Sequence, residues 1–459
     1  MNASFTYAIR YWIEATCSSP IRTGNAANDI DRVLTLHTGQ AMLQGASIAG
    51  AMRAWIKDED KKTPLFGSEE QEGTIRITDA LFDHSSKITT RPRVHIDRDT
   101  STVNEDNKFD IALVQSNAVC NFEIIWLGHK EAVFKEIVVD ESNREKEDKG
   151  TKTGKKVKVV MQSPSAEDAA KLIEDCLNAI QSGEITFGAQ RSNGFGRMTL
   201  SVKKRTFDMT VADDRNAWLN DSKEGTESVP LKPSRPGGIV FDVYAHIPSV
   251  LIKASAPKRK GKKSIQVHLS ENNEPILPGS SLKGAMRAHM QRIAPFLSIP
   301  EKNVSQIMMN LMGNEPTDKG NTIAGKLIWT DAKLAEGTGK SGETTRIRIN
   351  RLTAGTIQGA LISEQPVCGD WHWSIQIPEK ETTCALLVLY ALRDLGLGIY
   401  QLGGTKAVGR GTVDKITVNI SDSSNEATLR VEDGKASLED AGDIVAKWET
   451  QKGGSEHEN

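Results

Sequence analysis

One short segment occurs twice in this chain, and its residue types suit the binding of an anion. Residues 277–287 read Leu-Pro-Gly-Ser-Ser-Leu-Lys-Gly-Ala-Met-Arg, and residues 43–53 read Leu-Gln-Gly-Ala-Ser-Ile-Ala-Gly-Ala-Met-Arg. The positions that recur at a constant offset are Gly45, Ser47, Gly50, Ala51, Met52 and Arg53, matched by Gly279, Ser281, Gly284, Ala285, Met286 and Arg287. A near-identical segment half a chain away indicates a tandem duplication.

The second copy of the segment has the clearer chemistry. Ser280 and Ser281 are favoured N-cap residues, and the apolar spacing after them predicts that a loop opens into a helix. Free N–H groups at a helix start attract phosphate, and Lys283 and Arg287 add positive charge one turn apart. The segment is not a Walker loop, because Ala285 stands where the lysine is required. A tightly packed helix start without a ligand is the alternative interpretation.

The loops that precede the two copies differ in charge. The loop of the first half contains Asp29 and Asp31, and a carboxylate can act as a general base or hold a divalent ion. The loop of the second half has no carboxylate before Glu271, and its cations suit phosphate contacts. These cations are Lys258, Arg259, Lys260, Lys262 and Lys263. The alternatives are carboxylates that cap a turn or pair with Arg32, and a basic loop that is only solvated.

Both halves repeat the same order of elements. Alternating polar and apolar residues predict a strand at the start of each half, at 5–13 and 239–247. The repeated helix segment, further strands, an amphipathic helix near 165–182 or 381–395, a glycine-rich loop and a last strand follow. This order predicts an α+β fold of two tandem ferredoxin-like domains, each an antiparallel sheet with helices on one face.

Composition sets the expected limits of these domains. Pro230, Pro233 and Pro236 mark a linker, and Ser437 with Asp440 forms a capping-box pattern that predicts a short helix in an acidic tail. The predicted units are residues 1–205 for the first domain with a charged insertion at 135–158, 206–238 for the linker, 239–420 for the second domain and 421–459 for the tail.

The overall composition indicates a soluble globular protein in which any nucleic-acid site is local. The chain has 459 residues, of which 26% are charged, and its net charge is −2. Five cysteines lie far apart without a Cys-x-x-Cys pair, which argues against a zinc site or disulfide framework and fits a reducing cytoplasm. The start of the chain lacks a signal-peptide core, and the longest apolar run, 384–392, is too short to span a membrane.

The motifs in their order resemble one family. The glycine-helix segment, the Ile-Asp-Arg-x-Thr region at 96–100 and the closing glycine loops at 187–197 and 402–411 are similar to the backbone subunits of type III CRISPR effector complexes. Those subunits belong to the repeat-associated mysterious protein (RAMP) superfamily, and the resemblance covers roughly residues 1–205 and 238–420. It implies a modified RRM-like or ferredoxin-like core with a thumb-like β-hairpin, in units that line up along a guide RNA.

The same resemblance implies a cleavage site for the target RNA. In the cleaving members of the family, an aspartate in the loop after the first strand cuts the target beside each kink of the guide. Asp31 matches that position with one gap in the alignment, and Asp29 matches it without a gap; Asp31 is our first choice. The attacking group is the RNA 2′-OH, so a 2′,3′-cyclic phosphate and a 5′-OH are implied. A divalent ion, Mg²⁺ or Mn²⁺, is expected there with Asp31 as a ligand.

The resemblance and the charges also predict the partners. We expect a guide RNA, a target RNA and other type III subunits: neighbouring backbone subunits, the large polymerase- or cyclase-like subunit and small subunits, acting in antiviral defence without a membrane. The residues predicted to contact RNA are Gly45, Ser47, Arg53, Arg93, Arg98, Arg191, Arg197, Lys258, Arg259, Lys260, Lys262, Lys263, Gly279, Ser280, Ser281, Lys283, Arg287, Arg346, Arg348, Arg351, Lys406 and Arg410.

Two other functions remain open at this point. The chain could be a guide-RNA scaffold without catalysis, which would lose nothing when Asp31 and Asp29 are removed. A guide-processing endoribonuclease of the same superfamily is the third hypothesis, and the doubled architecture argues against it. Four further residues are expected to be structural rather than functional: His268, Trp329, Trp371 and Trp373.

Overall fold

The structure is a computed structural model of the whole chain. It describes residues 5–24, 33–69, 71–96, 103–140, 156–232, 237–254, 257–260, 263–297, 301–313, 323–377, 385–422 and 424–440, with residues 442 and 445. Asp29 and Asp31 lie outside these residues, as do Arg98 and Lys262. The backbones of Lys260 and Lys263 are described, and their side chains are not.

The first domain and the linker contain eleven strands and four helices among the described residues. The strands are β1 (Tyr7–Cys17), β2 (Met42–Leu43), β3 (Ile75–Ile77), β4 (Ala80–Phe82), β5 (Ile88–Ile96), β6 (Val103–Val114), β7 (Val119–Gly128), β8 (Val133–Asp140), β9 (Lys156–Ser163), β10 (Met198–Asp208) and β11 (Glu227–Ser228). The helices are α1 (Gly45–Trp55), α2 (Glu59–Phe66), α3 (Ala166–Ser182) and α4 (Ala212–Leu219).

The second domain repeats this plan over its described part. Its strands are β12 (Ile239–Val250), β13 (Lys258–Lys260), β14 (Lys263–Val267), β15 (Ser270–Glu271), β16 (Glu274–Leu277), β17 (Ile328–Trp329), β18 (Ala332–Leu334), β19 (Lys340–Ser341), β20 (Thr344–Ile349), β21 (Thr356–Gln365), β22 (Val367–Ile377), β23 (Lys415–Ser421), β24 (Glu426–Glu432) and β25 (Lys435–Glu439). Its helices are α5 (Gly279–Ile293), α6 (Glu301–Met312) and α7 (Ala385–Gly396).

Each domain is built on an antiparallel sheet whose middle strand is the first long strand of that domain. The first sheet has the order β11-β10-β1-β7-β4-β2, and the second has the order β15-β16-β18-β22-β12-β23-β24-β25. In β1 the residues at every second position, such as Ile9, Tyr11 and Ile13, are buried, as the alternating sequence predicts. The α+β prediction with two repeated units is therefore confirmed.

Helices α1 and α3 pack on the face of the first sheet that contains Ile9, Tyr11 and Ile13, whereas α4 lies on the other face, where Trp218 contacts Phe207 of β10. Helix α3 begins where the Ser165 hydroxyl accepts the Asp168 N–H at 3.1 Å, and it ends at Gly183 in a left-handed conformation. Helix α7 is apolar nearly all round, because it is packed between the second sheet and α5. The three tryptophans expected in the core, Trp329, Trp371 and Trp373, are 0–1% exposed.

Two hairpin systems project from the sheets, and we call them the first and second thumbs. The first thumb is the antiparallel pair of β5 and β6. The second thumb is the four-stranded sheet β13-β14-β21-β20. The pairs β5–β6 and β20–β21 arise from the region that the resemblance identifies as a thumb, which agrees with that prediction, whereas β13 and β14 come from the basic loop before α5.

One local expectation differs from the structure, and two segments outside the predicted cores contain regular elements. The capping-box pattern of Ser437 does not start a helix, because β24 and β25 form a hairpin that extends the second sheet past residue 420. The linker contains α4 and β11, which pairs with β10. The charged insertion starts and ends with the paired strands β8 and β9. In each case, strand pairing or packing on the first sheet outweighs the local turn and charge signals.

The start of the repeated helix also differs from the expectation. Ser280 and Ser281 do not cap α5, which begins at Gly279 after Pro278 without a side-chain cap at that position. Instead, the Asp331 carboxylate accepts the Gly279 N–H at 2.8 Å, and Asp79 accepts the Gly45 N–H of α1 at 2.8 Å. No helix in the described part of the chain is long and apolar enough to cross a membrane.

Candidate nucleic-acid interface

The first and second closing loops, residues 187–197 and 402–411, share an unusual backbone conformation. Gln190 and Thr405 both have positive φ values, 64° and 58°, and each precedes a short 3-10 turn. A Cβ atom on Gly196 or Gly411 would lie 1.8 Å from a carbonyl oxygen of the same loop. The glycines in these loops are therefore required for the fold, whether or not RNA approaches them.

The first closing loop packs against the second domain. A Cβ atom on Gly194 would lie 1.9 Å from the Trp329 carbonyl oxygen, and one on Gly279 would lie 3.3 Å from that of Asn193. The loop of one domain thus rests on the helix start of the other. We call this contact region the seam.

A buried ion pair holds the first thumb to the second domain at the seam. The Arg91 guanidinium donates to Asp331 at 2.6 Å and to Glu271 at 2.6 Å, and all three side chains are no more than 8% exposed. Burial opposes the positive charge of Arg91, but the two acids outweigh it and raise the pKa of the guanidinium. Glu271 also accepts the Ser116 N–H at 2.8 Å, so that both of its oxygens are satisfied.

Next to this pair lies a group of cations that we call the seam cluster: Arg22, Arg93, Lys283 and Arg287. Burial, with Arg287 and Arg93 nearby, lowers the pKa of Lys283 to about 8. Burial, followed by repulsion from Arg91, lowers the pKa of Arg93 to about 10. Among the described residues, the buried Nε of Arg22 has no hydrogen-bond partner. Like charges are therefore held together in a partly desolvated place, which an anion would relieve.

Arg93 and Lys283 make their side-chain hydrogen bonds with neutral groups, although the nearby Asp331 carboxylate partly offsets the lowering of the Arg93 pKa. Arg93 donates to the side-chain oxygen of Gln190 and lies 6.0 Å from the Phe195 ring centroid. The Lys283 ammonium lies 3.5 Å from the Ser192 hydroxyl. A phosphate would supply the negative charge that these partners lack, and arginine and lysine side chains are suited to bind it. The seam brings Arg93 together with Lys283 and Arg287, which belong to a different motif of the sequence.

The matching place in the second domain has different chemistry. Glu364 is 1% exposed and accepts from Arg346 at 3.0 Å and from Arg410. Burial alone would raise the pKa of Glu364, but the two arginines lower it. Arg410 also donates to the Thr344 hydroxyl at 2.9 Å. Arg346 and Arg410, both predicted RNA contacts, are therefore engaged in an ion network at the base of the second thumb.

The basic run of the second domain forms the outer hairpin of the second thumb. Strands β13 and β14 pair antiparallel, and the side chains of Lys258 and Arg259 are exposed. Arg348 and Arg351 are exposed farther along the same thumb. Exposed cations on one projecting hairpin suit an electrostatic contact with a nucleic-acid backbone.

The remaining predicted RNA contacts have mixed environments. Arg53 donates to the Gly67 carbonyl at 2.6 Å, which gives it a structural role. Arg197 reaches Gln376 across the seam at 3.4 Å, and burial lowers its pKa. Arg191 and Lys406 are exposed on the two closing loops. Ser47 is exposed, Ser280 and Ser281 are half-buried, and the N–H groups of Gly45 and Gly279 are bound by aspartates.

The predicted metal site falls on residues that the structure does not describe. Among the described residues, no group of three or more histidine, cysteine, aspartate or glutamate side chains could hold a metal ion. His268 is buried and bonds the Ile276 carbonyl at 3.0 Å, and burial lowers its pKa, so it is a core residue as expected.

The family comparison agrees with the two-domain layout. The profile of the RAMP superfamily matches residues 14–199 and 247–414, one match in each domain. The chain belongs to the RAMP superfamily. Its two RAMP units form a tandem fusion, with the seam cluster between them.

The similarity of the RAMP units to solved structures is distant. One similar chain, in the cryo-EM structure of the type III-B Cmr-beta bound to cognate target RNA, shares 15% sequence identity with a TM-score of 0.31. The match covers 44% of this chain and 62% of that chain, so this chain spans less than two thirds of its length. No curated protein matches the chain.

Sequence reasoning missed the acceptors and two cations of the seam. Arg22 and Arg91 belong to no recognised motif, and Asp331 belongs only to a repeated Thr-Asp-Ala turn. That repeat was the available signal: an aspartate that recurs at the same place in both RAMP units indicates a shared contact, here the N–H of the helix start.

Proposed function

We propose that this protein is a guide-RNA-binding backbone subunit of a type III CRISPR ribonucleoprotein. The observation that carries the proposal is the seam cluster, in which Arg93, Lys283 and Arg287 converge without a described acid bonded to Arg93 or Lys283. Two RAMP units in tandem, each with a projecting thumb, give the elongated series of repeated contacts that an extended RNA strand needs. The family membership and the resemblance of the motifs support the same conclusion.

The physical role of the seam cluster in this proposal is to fix an RNA phosphate between the two units. Each cation is already desolvated and held by folding, so that little conformational entropy is lost when the phosphate binds. The exposed cations of the second thumb, including Lys258 and Arg259, would add weaker, salt-screened contacts. The seam cluster therefore sets the register of the guide, and the thumb adds affinity.

The second part of the proposal is that the first RAMP unit cleaves a target RNA paired with the guide. It rests on the resemblance of the loop before α1, which contains Asp31 and Asp29, to the cleaving members of the family. A carboxylate there would accept the 2′-OH proton or hold a divalent ion. The second unit has no carboxylate at the matching positions, so we propose a single cut.

The guide-binding proposal is tested by the salt dependence of RNA affinity. A variant with Arg93→Gln, Lys283→Met and Arg287→Gln should bind a synthetic guide RNA more weakly than the wild type. The slope of log K against log salt should fall by about 0.7 for each phosphate that the variant no longer neutralises.

The matched control replaces three exposed lysines on other surfaces, Lys61, Lys171 and Lys435, with glutamine. This control changes net charge equally, so its affinity should fall less than that of the seam variant. An equal fall in both variants would mean that the RNA responds only to overall charge, and the proposed site would be wrong.

A further inference from the structure

We propose that Asp79 at the front of the first RAMP unit binds the thumb-base arginine of a different backbone subunit, not of a second copy of this chain. The proposal rests on the function proposed above, because it concerns how a backbone subunit meets its neighbour. It follows from comparing the seam with two matching surfaces that have no partner among the described residues: the start of α1 in the first unit, called the front, and the base of the second thumb, called the rear.

Asp79 and Asp331 occupy the same place in the two RAMP units. Each follows a threonine and precedes an alanine, and each accepts the first helical N–H, that of Gly45 or Gly279, at 2.8 Å. The second oxygen of Asp331 accepts from Arg91 of the preceding unit at 2.6 Å. Asp79 is exposed, and no described side chain donates to it. Its second oxygen is therefore available to an arginine from outside the chain.

The surface around Asp79 is uncovered where the second unit is covered. Ala46 and Ser47 at the start of α1 are exposed, whereas the matching Ser280 and Ser281 are half-buried. Thr35 pairs with Ala41 in the first unit as Ser270 pairs with Pro275 in the second. The residues that follow them, Leu36 and Glu271, therefore occupy matching positions. This front surface thus offers one carboxylate beside a partly exposed leucine. It suits a thumb base that combines an arginine with apolar neighbours, as the first thumb does.

The rear of the second unit does not supply such a thumb base. In the first thumb, Arg91 pairs with Ile111 of the neighbouring strand. At the matching position of the second thumb, Thr344 pairs with Glu364, so Thr344 corresponds to Arg91 and Glu364 to Ile111. Arg410 of the second unit occupies the position of Phe195 in the first unit, because each residue directly precedes the last glycine of its closing loop. Arg346 and Arg410 are both bonded to Glu364, so neither guanidinium is directed to a neighbouring unit.

The front and the rear are therefore not complementary. The front presents the Asp79 carboxylate. The rear presents Thr344 at the position where an arginine would be needed to bind that carboxylate. Arg91 itself is already bound to its own second unit. At the matching thumb-base position, a second copy of this chain offers Thr344 to Asp79, whereas a different backbone subunit with arginine at its thumb base offers a guanidinium.

The test gives the base of the second thumb the residue types that the first thumb has at the matching positions. The full chain without RNA is studied by sedimentation velocity over a range of protein concentrations, as wild type and as the variant T344R/E364I/R410F. The wild type should remain monomeric. The triple variant should form species of twice the monomer mass or more, because its rear now matches its own front. Adding Asp79→Asn should return it to monomer, while Asp83→Asn, an exposed acid of the same unit, should not.

Asp79→Asn keeps an oxygen for the Gly45 N–H, so the start of α1 is retained while the charge is removed. If the triple variant does not fold, as judged by its thermal melt, T344R alone is compared with T344A at low and high salt, and only T344R should associate at low salt. The proposal is overturned if the wild type self-associates through Asp79, if folded T344R variants stay monomeric, or if Asp79→Asn leaves association intact. Guide-RNA binding by the wild type is measured separately, so the two proposals can fail independently.

Discussion

Arg91 of the first thumb and Asp331, which directly precedes β18, form an ion pair of 2.6 Å across the seam, although 240 positions separate them in the sequence. Glu271 shares the same guanidinium. Because Asp331 also holds the first N–H of α5, this contact joins the thumb of one unit to the helix start of the other. The relative position of the two units therefore depends on a few buried charges.

Removing Arg91 should strongly destabilise the seam. Arg91→Met leaves Asp331 and Glu271 buried without their cation, and breaking a buried pair in this way costs about 3–5 kcal/mol. Denaturant unfolding should show a lower midpoint, with the two units unfolding in separate steps. The control is Lys415→Met, which breaks the exposed pair with Glu432 and should change stability by less than about 1 kcal/mol. Similar effects of the two changes would contradict the role of the seam.

The sequence predicts the duplicated α+β fold because its signals are local and repeated. Alternation in β1, the glycines that begin α1 and α5, and the amphipathic α3 each need only a few neighbouring residues to be recognised. The seam could not be predicted in this way. The pairing of Arg91 with Glu271 depends on how two domains pack, and nothing in the spacing of those residues within the chain indicates that they meet.

The tail shows the opposite failure, in which a local signal was misleading. Ser437 and Asp440 have the spacing of a helix start, yet β25 pairs with β24 through register partners such as Ser437 and Arg430. Alternation in β24, where Ala427, Leu429 and Val431 are buried against the core, decides the outcome. Tertiary burial of this strand outweighs the cap, because it removes three apolar side chains from water.

Lys283 should make guide-RNA affinity depend on pH. In the free protein its pKa is about 8, and a bound phosphate would raise it, so binding takes up a proton above that pH. Wild-type affinity should therefore fall as pH rises from about 7 to about 9.5. Lys283→Arg should bind with little change over this range because arginine stays charged. Lys283→Met should bind weakly at every pH. The measurement is fluorescence anisotropy with a labelled guide, and a steep pH dependence in Lys283→Arg would contradict it.

The buried charge of Lys283 should lower the free energy of unfolding of the RNA-free protein. Its folded pKa lies below the unfolded value of 10.5, so the unfolded state binds more protons between pH 8 and 10.5 and stability rises across that window. At pH 7 the full cost of the buried charge is present. Lys283→Met should therefore stabilise the RNA-free protein at pH 7, by about 1 kcal/mol after allowance for solvent screening. Thermal melts at pH 7 and pH 10.5 test this, and an equal gain at both pH values would contradict it.

The basic hairpin of the second thumb should contribute affinity without setting register. Neutralising Lys258, Arg259, Lys260, Lys262 and Lys263 together should weaken guide binding at low salt and lower the salt slope by about 0.7 for each phosphate that the hairpin no longer neutralises. Because two of these side chains are seen to be exposed, the fold should be unaffected. Affinity at several salt concentrations checks the prediction. An unchanged slope would mean that the hairpin is only solvated.

Asp31→Ala should abolish one cut in the target RNA and leave guide and target binding intact. The reason is the difference between the two units: the loop before α1 contains Asp29 and Asp31, and the matching positions of the second unit are lysine, serine and isoleucine. A general base acts on the transition state rather than on the bound ground state. Its loss should lower the cleavage rate by about 10²–10⁴-fold with little change in affinity.

Cuts are mapped by product length in the assembled complex, with and without a chelator of divalent ions. If Asp31 acts with Mg²⁺ or Mn²⁺, chelation should abolish the same product that Asp31→Ala removes, while the target stays bound. A cut that survives Asp31→Ala and disappears in Asp29→Ala would assign the reaction to Asp29. A cut that survives both changes would belong to a neighbouring subunit, and this chain would then be a guide-RNA scaffold whose carboxylates only cap a loop.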